Sequence, residues 1–170
     1  MAFARHAAVA HRMKRALRMM EDVLAAKVSE RYKRGFKLRR KTLDNAGEER
    51  RLLLESFHPD LMRYPIEFAF GDILSRPGLD HKTREMITLA LAIGNGVERE
   101  VLSHTRGFLN HGGTKKELVE LLLQIAVYAG FPRMIAGAYG VMSVFEERGL
   151  FHPPKPKPKP AKAPARRKRK

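Results

Sequence analysis

The 170-residue sequence predicts an all-α fold, because apolar residues recur at helical spacing and no segment alternates convincingly at the two-residue period of a strand. Gly and Pro divide these periodic stretches at positions that suit helix ends. Cysteine is absent, which excludes disulfides, thiolate metal sites and thiol catalysis. We therefore expect one compact helical domain with a single buried core and additional extensions.

The charge of +16 is unevenly distributed along the chain, with +9 on residues 1–45, −2 on residues 46–152 and +9 on residues 153–170. We interpret these segments as a basic N-terminal helical arm with a connector, a near-neutral helical domain, and a disordered Pro/Lys/Arg tail. Contact with nucleic acid or another polyanion would reside in the two arms. A tail that serves only solubility is the alternative.

The N-terminal arm has apolar residues at steps of three or four, the period of an amphipathic helix. They are Val9, Met13, Leu17, Met20, Leu24 and Val28. This helix packs on the core or another subunit, or else lies on a membrane surface or nucleic acid. Gly35 breaks the pattern, and residues 36–43 are predicted to form a short connector. No apolar run approaches the roughly 20 residues that span a bilayer, so we expect a soluble protein. The absence of cysteine is compatible with a reducing compartment, and we expect the protein to be cytoplasmic.

The next helices are predicted from their breakers and caps. One begins near Ala46, and Pro59 suits the first turn of another. Pro65 permits a fresh start or a kink. Residues 75–78 form a turn, after which Asp80 can cap a helix over residues 83–93.

The last three helices follow residues 94–96, which end the preceding helix. The first of them carries Glu100 and His104 and ends near Asn110, before a turn at residues 111–113. Thr114 and Glu117 form a capping box for a helix over residues 115–129. Gly130 then stops this helix, Pro132 starts the last one, and Gly149 ends it.

Glu100 and His104 lie four residues apart, so their side chains share one helix face. A carboxylate beside an imidazole can orient or charge it, and histidine titrates nearest to neutral pH. The pair therefore suits proton transfer, although a surface ion pair is the commoner outcome of this spacing.

Several motifs in fixed order add a family resemblance over about residues 34–149. Residues 70–84 contain Gly-Asp and Arg-Pro-Gly-Leu-Asp, and residues 100–117 contain Glu-x-x-x-His and Gly-x-Thr-x-x-Glu. Tyr-Ala-Gly-Phe-Pro at 128–132 closes the series. The pattern resembles the carboxymuconolactone decarboxylase family, in the alkylhydroperoxidase-like superfamily. The resemblance implies a helical domain that assembles into a homo-oligomer, a trimer or hexamer.

The resemblance implies a cofactor-independent carboxy-lyase that acts on a small carboxylated lactone or a related acid. It makes His104 the proton donor or oxyanion partner, oriented by Glu100, with Glu85 completing a relay. Arg84 would bind a substrate carboxylate, unless it pairs with Glu85 across the helix ends. Two further residues, Asn110 and Tyr128, are candidates for hydrogen bonds in the pocket.

Superfamily members that reduce peroxides use a Cys-x-x-Cys pair, and Glu100 occupies the position of the second cysteine. Thiol peroxidase activity is therefore not expected. We expect no metal, since two helical turns separate His104 from His111, which we interpret as a turn residue. The alternative function is a non-enzymatic homo-oligomeric binding protein whose basic arms contact a polyanion.

Overall fold

The computed structural model describes residues 29–152 and residue 154, except for the side chains of residues 44–46. Within this part every regular element is helical, which confirms the predicted all-α class. The elements in chain order are α1 (Glu30–Phe57), α2 (Asp60–Tyr64), a π-helix (Pro65–Leu74), α3 (His81–Asn95), α4 (Glu98–Asn110), α5 (Lys115–Ala129) and α6 (Phe131–Glu147).

Two predicted segments, the helix over residues 9–28 and the tail apart from residue 154, lie outside the described residues. None of the described helices is long and apolar enough to cross a membrane. The division into residues 1–45, 46–152 and 153–170 stays a prediction.

The predicted connector over residues 36–43 is wrong, because α1 is one uninterrupted helix that passes through Gly35. Gly35 allows close contact with the π-helix: a Cβ at this position would lie 2.7 Å from the amide nitrogen of Gly71. Arg31 and Arg34 reinforce the contact by pairing with Asp72 of the π-helix at 2.5 and 3.3 Å. The glycine therefore serves tertiary packing and does not end the helix.

The predicted caps are confirmed where the structure allows a direct comparison. Asp80 Oδ1 accepts a hydrogen bond from the Thr83 amide at 3.0 Å, and α3 begins at His81. Gly96 has a φ of 71°, the left-handed conformation that ends α3. Thr114 and Glu117 form both bonds of the capping box that starts α5. These local signals placed the helix boundaries to within a few residues.

The position of α4 decides where the functional site can form. This helix packs against α1, α3 and α6, so most of its faces are covered. The core around it consists of apolar side chains from α3 to α6, namely Leu89, Ala92, Ile93, Val101, Phe108, Leu118, Ile125, Val141 and Phe145. Polar side chains on α4 are consequently enclosed between neighbouring helices.

Several apolar side chains of α5 and α6 are exposed in the part of the chain that the structure describes. On α5, Val119, Leu123 and Val127 are exposed and recur at steps of four residues. On the adjacent α6, Ile135 and Tyr139 are also exposed, the latter by 68%. We call these five side chains the α5–α6 apolar face. Large exposed apolar patches commonly mark interfaces, but the predicted homo-oligomer stays a prediction.

Candidate active site

The central residue of the site is His104, whose side chain lies between two carboxylates. Its Nδ1 is 2.8 Å from Glu85 Oε2, and its Nε2 is 3.3 Å from Glu100 Oε2. The His104 side chain is 12% exposed, that of Glu85 is 3% exposed, and that of Glu100 is 51% exposed. The structure therefore brings together the three residues predicted to transfer protons, and only the Glu100 side opens to solvent.

The two carboxylates beside His104 come from different helices. Glu100 lies one helical turn before His104 on α4, so the spacing alone places it on the same face. Glu85 comes from α3, whose start is set by the Asp80 cap. The packing of α3 on α4 brings its carboxylate to the buried nitrogen of His104.

The electrostatics of the site favour a charged His104. Burial alone would lower the pKa of the imidazolium, but hydrogen bonds to Glu100 and Glu85 and the charges of both carboxylates raise the pKa to about 9. The hydrogen bond from His104 in turn lowers the pKa of Glu100, against the effect of burial, and the Arg50 charge acts in the same direction. At neutral pH His104 is therefore protonated and donates through both ring nitrogens.

Gly107 leaves the space that the Glu85 carboxylate occupies. It is a buried position on α4, and a Cβ there would lie 2.8 Å from Glu85 Cδ and 2.9 Å from Thr42 Cγ2. Only a residue without a side chain allows α1, α3 and α4 to meet here. The sequence offered no signal for this role, because Gly107 lies inside a helix.

We expect Gly107→Ala to destabilise the protein by about 1–3 kcal/mol, the usual cost of overpacking. The matched control is Gly94→Ala in α3, where an added Cβ meets no atom within 4 Å. That change should leave stability unchanged or raise it by roughly 0.5–1 kcal/mol, since alanine favours a helix over glycine. Guanidinium unfolding curves measure both variants. A Gly107→Ala protein as stable as its Gly94→Ala control would contradict the packing role.

The three residues predicted to bind substrate have other contacts in this chain. Arg84 donates to the backbone carbonyls of Leu79 and Arg76, at 3.2 and 3.0 Å, and so holds the turn before α3. The predicted alternative for Arg84 was an ion pair with Glu85, and among the described contacts Glu85 pairs with His104. The substrate-binding role of Arg84 stays a prediction.

Asn110 and Tyr128 have different surroundings. Asn110 donates to the carbonyl of Thr42 at 2.8 Å and accepts from Arg148 at 2.9 Å, so its amide links α1 to the end of α6. Tyr128 is 85% exposed near the end of α5. No described hydrogen bond joins either residue to His104, and their roles in the pocket stay predictions.

His111 follows α4 directly, as the predicted turn residue should. Its Nε2 lies 3.0 Å from Thr42 Oγ1, and its ring centroid lies 5.1 Å from that of His81. Burial lowers the pKa of His111, and the nearby charges of His81 and Lys41 act in the same direction. Among the described residues no group of three His, Asp or Glu side chains is placed to hold a metal ion.

Helix α1 supplies residues that sequence reasoning missed. Thr42 contacts both His111 and the segment around Gly107, and it is almost fully buried. Arg50 extends to the start of α4, where its Nη1 is 3.4 Å from the carbonyl oxygen of Arg99. Recognition of α1 as one continuous helix would have been needed to place both residues beside α4.

The described structure is thus an all-α domain in which two carboxylates flank one largely buried histidine. A family model described as "Carboxymuconolactone decarboxylase family" matches residues 59–141. The chain is also 37% identical over 122 residues to the 4-carboxymuconolactone decarboxylase of Acinetobacter baylyi, covering 71% of this chain and 91% of that protein. The chain belongs to the carboxymuconolactone decarboxylase family.

Two further relatives show how the similarity varies. Over 69 residues the chain is 46% identical to the nitrosuccinic acid decarboxylase npaB of Metarhizium robertsii, covering 41% of this chain and 48% of that protein. Over 96 residues it is 30% identical to an uncharacterized 15.0 kDa protein of Paracoccus denitrificans, covering 55% of this chain and 72% of that protein. Two of these three relatives are named as decarboxylases.

Proposed function

We propose that this protein is a cofactor-independent decarboxylase that acts on a small carboxylated lactone or a related acid. The observation that carries the proposal is the position of the His104 ring between Glu85 and Glu100, whose carboxylates raise its pKa to about 9. A protonated imidazole at neutral pH is a proton donor in its active form. The names of two relatives support the reaction class.

The proposed reaction breaks the bond between a substrate carbon and its carboxylate. Carbon dioxide leaves, and the electron pair passes into a conjugated carbonyl or another electron-withdrawing group. His104 stabilises the anion that develops and delivers one proton to carbon. The net change is loss of carbon dioxide and gain of a proton, so no external electron acceptor is required.

The two carboxylates would have different roles, because Glu85 is buried and Glu100 is half exposed. Glu85 is buried and hydrogen-bonded to Nδ1, so it would orient the ring and keep it charged. Glu100 is half exposed beside Nε2, so it would return a proton from solvent after each turnover. The proton would therefore enter and leave on the Nε2 side.

Purified protein should release carbon dioxide from 4-carboxymuconolactone or from nitrosuccinic acid, the two compounds named for its relatives. Carbon dioxide is measured directly, at pH 7 and in the presence of a metal chelator. His58→Ala is a suitable control protein, because His58 is an exposed histidine at the end of α1. A rate no higher than that of the uncatalysed reaction with either compound would count against these substrates.

A second candidate function is polyanion binding by an oligomer, and one described surface favours it. A groove on α1 is lined by four cationic side chains and one aromatic ring: Lys33, Phe36, Lys37, Arg40 and Lys41. The nearby Arg31 and Arg34 are already paired with Asp72. Assembly through the α5–α6 apolar face would multiply this groove and strengthen weak binding.

We expect sedimentation analysis to show an oligomer that binds duplex DNA at low salt and releases it as salt rises. Lys37→Glu should weaken binding, because it reverses a charge in the groove. The matched change Lys116→Glu lies on α5, outside the groove. Equal binding by both variants, or a monomer that ignores DNA at low salt, would reject this function.

A further inference from the structure

Arg50, a cation near the solvent-exposed Glu100 side of the site, has no role in the proposed proton transfer. Glu100 leads from His104 to solvent, and Arg50 of α1 reaches the same end of α4. The Nη1 of Arg50 lies 3.4 Å from the carbonyl oxygen of Arg99, the residue before Glu100. Among the described residues, Arg50 makes this one long hydrogen bond. A guanidinium has five N–H donors, so most of them have no partner among the described residues.

The charge of the site shows why an additional cation matters. Glu85 and Glu100 contribute two negative charges and the imidazolium of His104 one positive charge. An acidic substrate would therefore approach a site of net negative charge. Arg50 offsets this charge, and its planar fork suits a carboxylate.

Three arginines on or beside α3 and α4 are already engaged. Arg84 holds the carbonyls of the turn before α3, and Arg106 pairs with Glu147. Arg148 donates to Asn110. Unlike these three, Arg50 lies at the end of α4 that carries Glu100, with one weak hydrogen bond among the described contacts.

The reaction itself restricts which carboxylate Arg50 could hold. The carboxylate that is lost becomes neutral carbon dioxide, so a cation bound to it would stabilise the ground state more than the transition state. A carboxylate that the product retains keeps its charge throughout. Binding it would anchor the substrate without raising the barrier.

On the basis of the proposed function, we propose that Arg50 binds the carboxylate that the substrate retains after decarboxylation. One carboxylate leaves beside His104 Nε2, and the other lies on Arg50. Arg50 is thus a specificity-determining residue contributed by α1 to a proton-transfer site built by α3 and α4.

Steady-state kinetics with 4-carboxymuconolactone test this role, because loss of substrate binding changes KM more than kcat. In Arg50→Met, KM should rise at least about 10-fold, as expected for loss of a charge-assisted hydrogen bond, while kcat changes much less. Arg50→Lys should be intermediate, because it keeps the charge and loses the fork. Arg31→Met removes a cation from the start of the same helix and should leave KM unchanged.

Equilibrium binding separates this proposal from the proposed function. Wild-type protein at low salt should bind succinate more tightly than monomethyl succinate, and Arg50→Met should lose that preference. If the wild type has the preference but no decarboxylase activity, the Arg50 subsite stands and the proposed function fails. If Arg50→Met decarboxylates the substrate with an unchanged KM, the Arg50 subsite is overturned and the proposed function stands. If the wild type binds succinate and monomethyl succinate equally well, the Arg50 subsite is also overturned.

Discussion

Replacing His104 with alanine is expected to lower kcat for decarboxylation by on the order of 10² to 10⁴, the usual contribution of a general acid. The reason is that His104 is the only side chain in contact with both carboxylates of the described site. Without it, the electron pair left by carbon dioxide has no positioned proton donor. Carbon dioxide release under saturating substrate measures the effect.

Loss of the imidazole also leaves Glu85 buried without its partner, which could impair folding for reasons unrelated to catalysis. His104→Gln addresses this problem, since its amide can still donate a hydrogen bond to Glu85 but carries no acidic proton. A folded His104→Gln protein, verified by circular dichroism, should be as inactive as His104→Ala. His58→Ala should keep the wild-type rate. Retention of most activity by His104→Gln would refute proton donation by His104.

Replacing Glu85 with glutamine is expected to shift the pH dependence of the enzyme to lower pH. In the wild type, activity should fall as pH rises through about 9, because His104 then loses its proton. Glu85→Gln removes one of the two carboxylates that raise this pKa, so activity should fall at a lower pH. Rate–pH profiles and NMR titration of the His104 ring measure the shift independently.

The same pKa predicts how stability depends on pH. The pKa of His104 is about 9 in the folded protein, compared with an ordinary value of 6.5, so protonation stabilises the folded state. This contribution, about 3 kcal/mol by linkage, is complete below pH 6.5 and is lost as pH rises through 9. Glu85→Gln should reduce it, as measured by unfolding curves across that range.

Glu147→Gln is the matched control for Glu85→Gln, because it removes a carboxylate from the exposed pair with Arg106. It should leave the titration of His104 unchanged. A His104 pKa that is the same in Glu85→Gln and in Glu147→Gln would show that Glu85 does not set the charge of the imidazole.

Local sequence signals predicted much of the fold because they involve residues near one another in the chain. The Asp80 cap and the Thr114–Glu117 capping box satisfy free amides within one turn, so sequence spacing suffices to recognise them. Gly35 was misread for the opposite reason. Its role depends on the π-helix, which lies more than thirty residues later in the chain.

The candidate site likewise contains contacts that the sequence predicted from local spacing and contacts that depend on the packing of helices. The spacing of Glu100 and His104 predicted a shared face, which the structure confirms. Glu85 was proposed through family resemblance, and its contact with His104 depends on the packing of α3 against α4. The space for that carboxylate at Gly107 and the position of Arg50 were not predicted, because neither has a local pattern.

The sequence by itself determined the all-α class, the helix caps and the pairing of a carboxylate with His104 on one helix face. These features depend on helical periodicity and on hydrogen bonds within a single turn. Only the tertiary structure decided that His104 has a second, buried carboxylate and that Arg50 lies at the open side. Those contacts join residues from α1, α3 and α4, and the two carboxylates that lie beside His104 raise its pKa against the effect of burial.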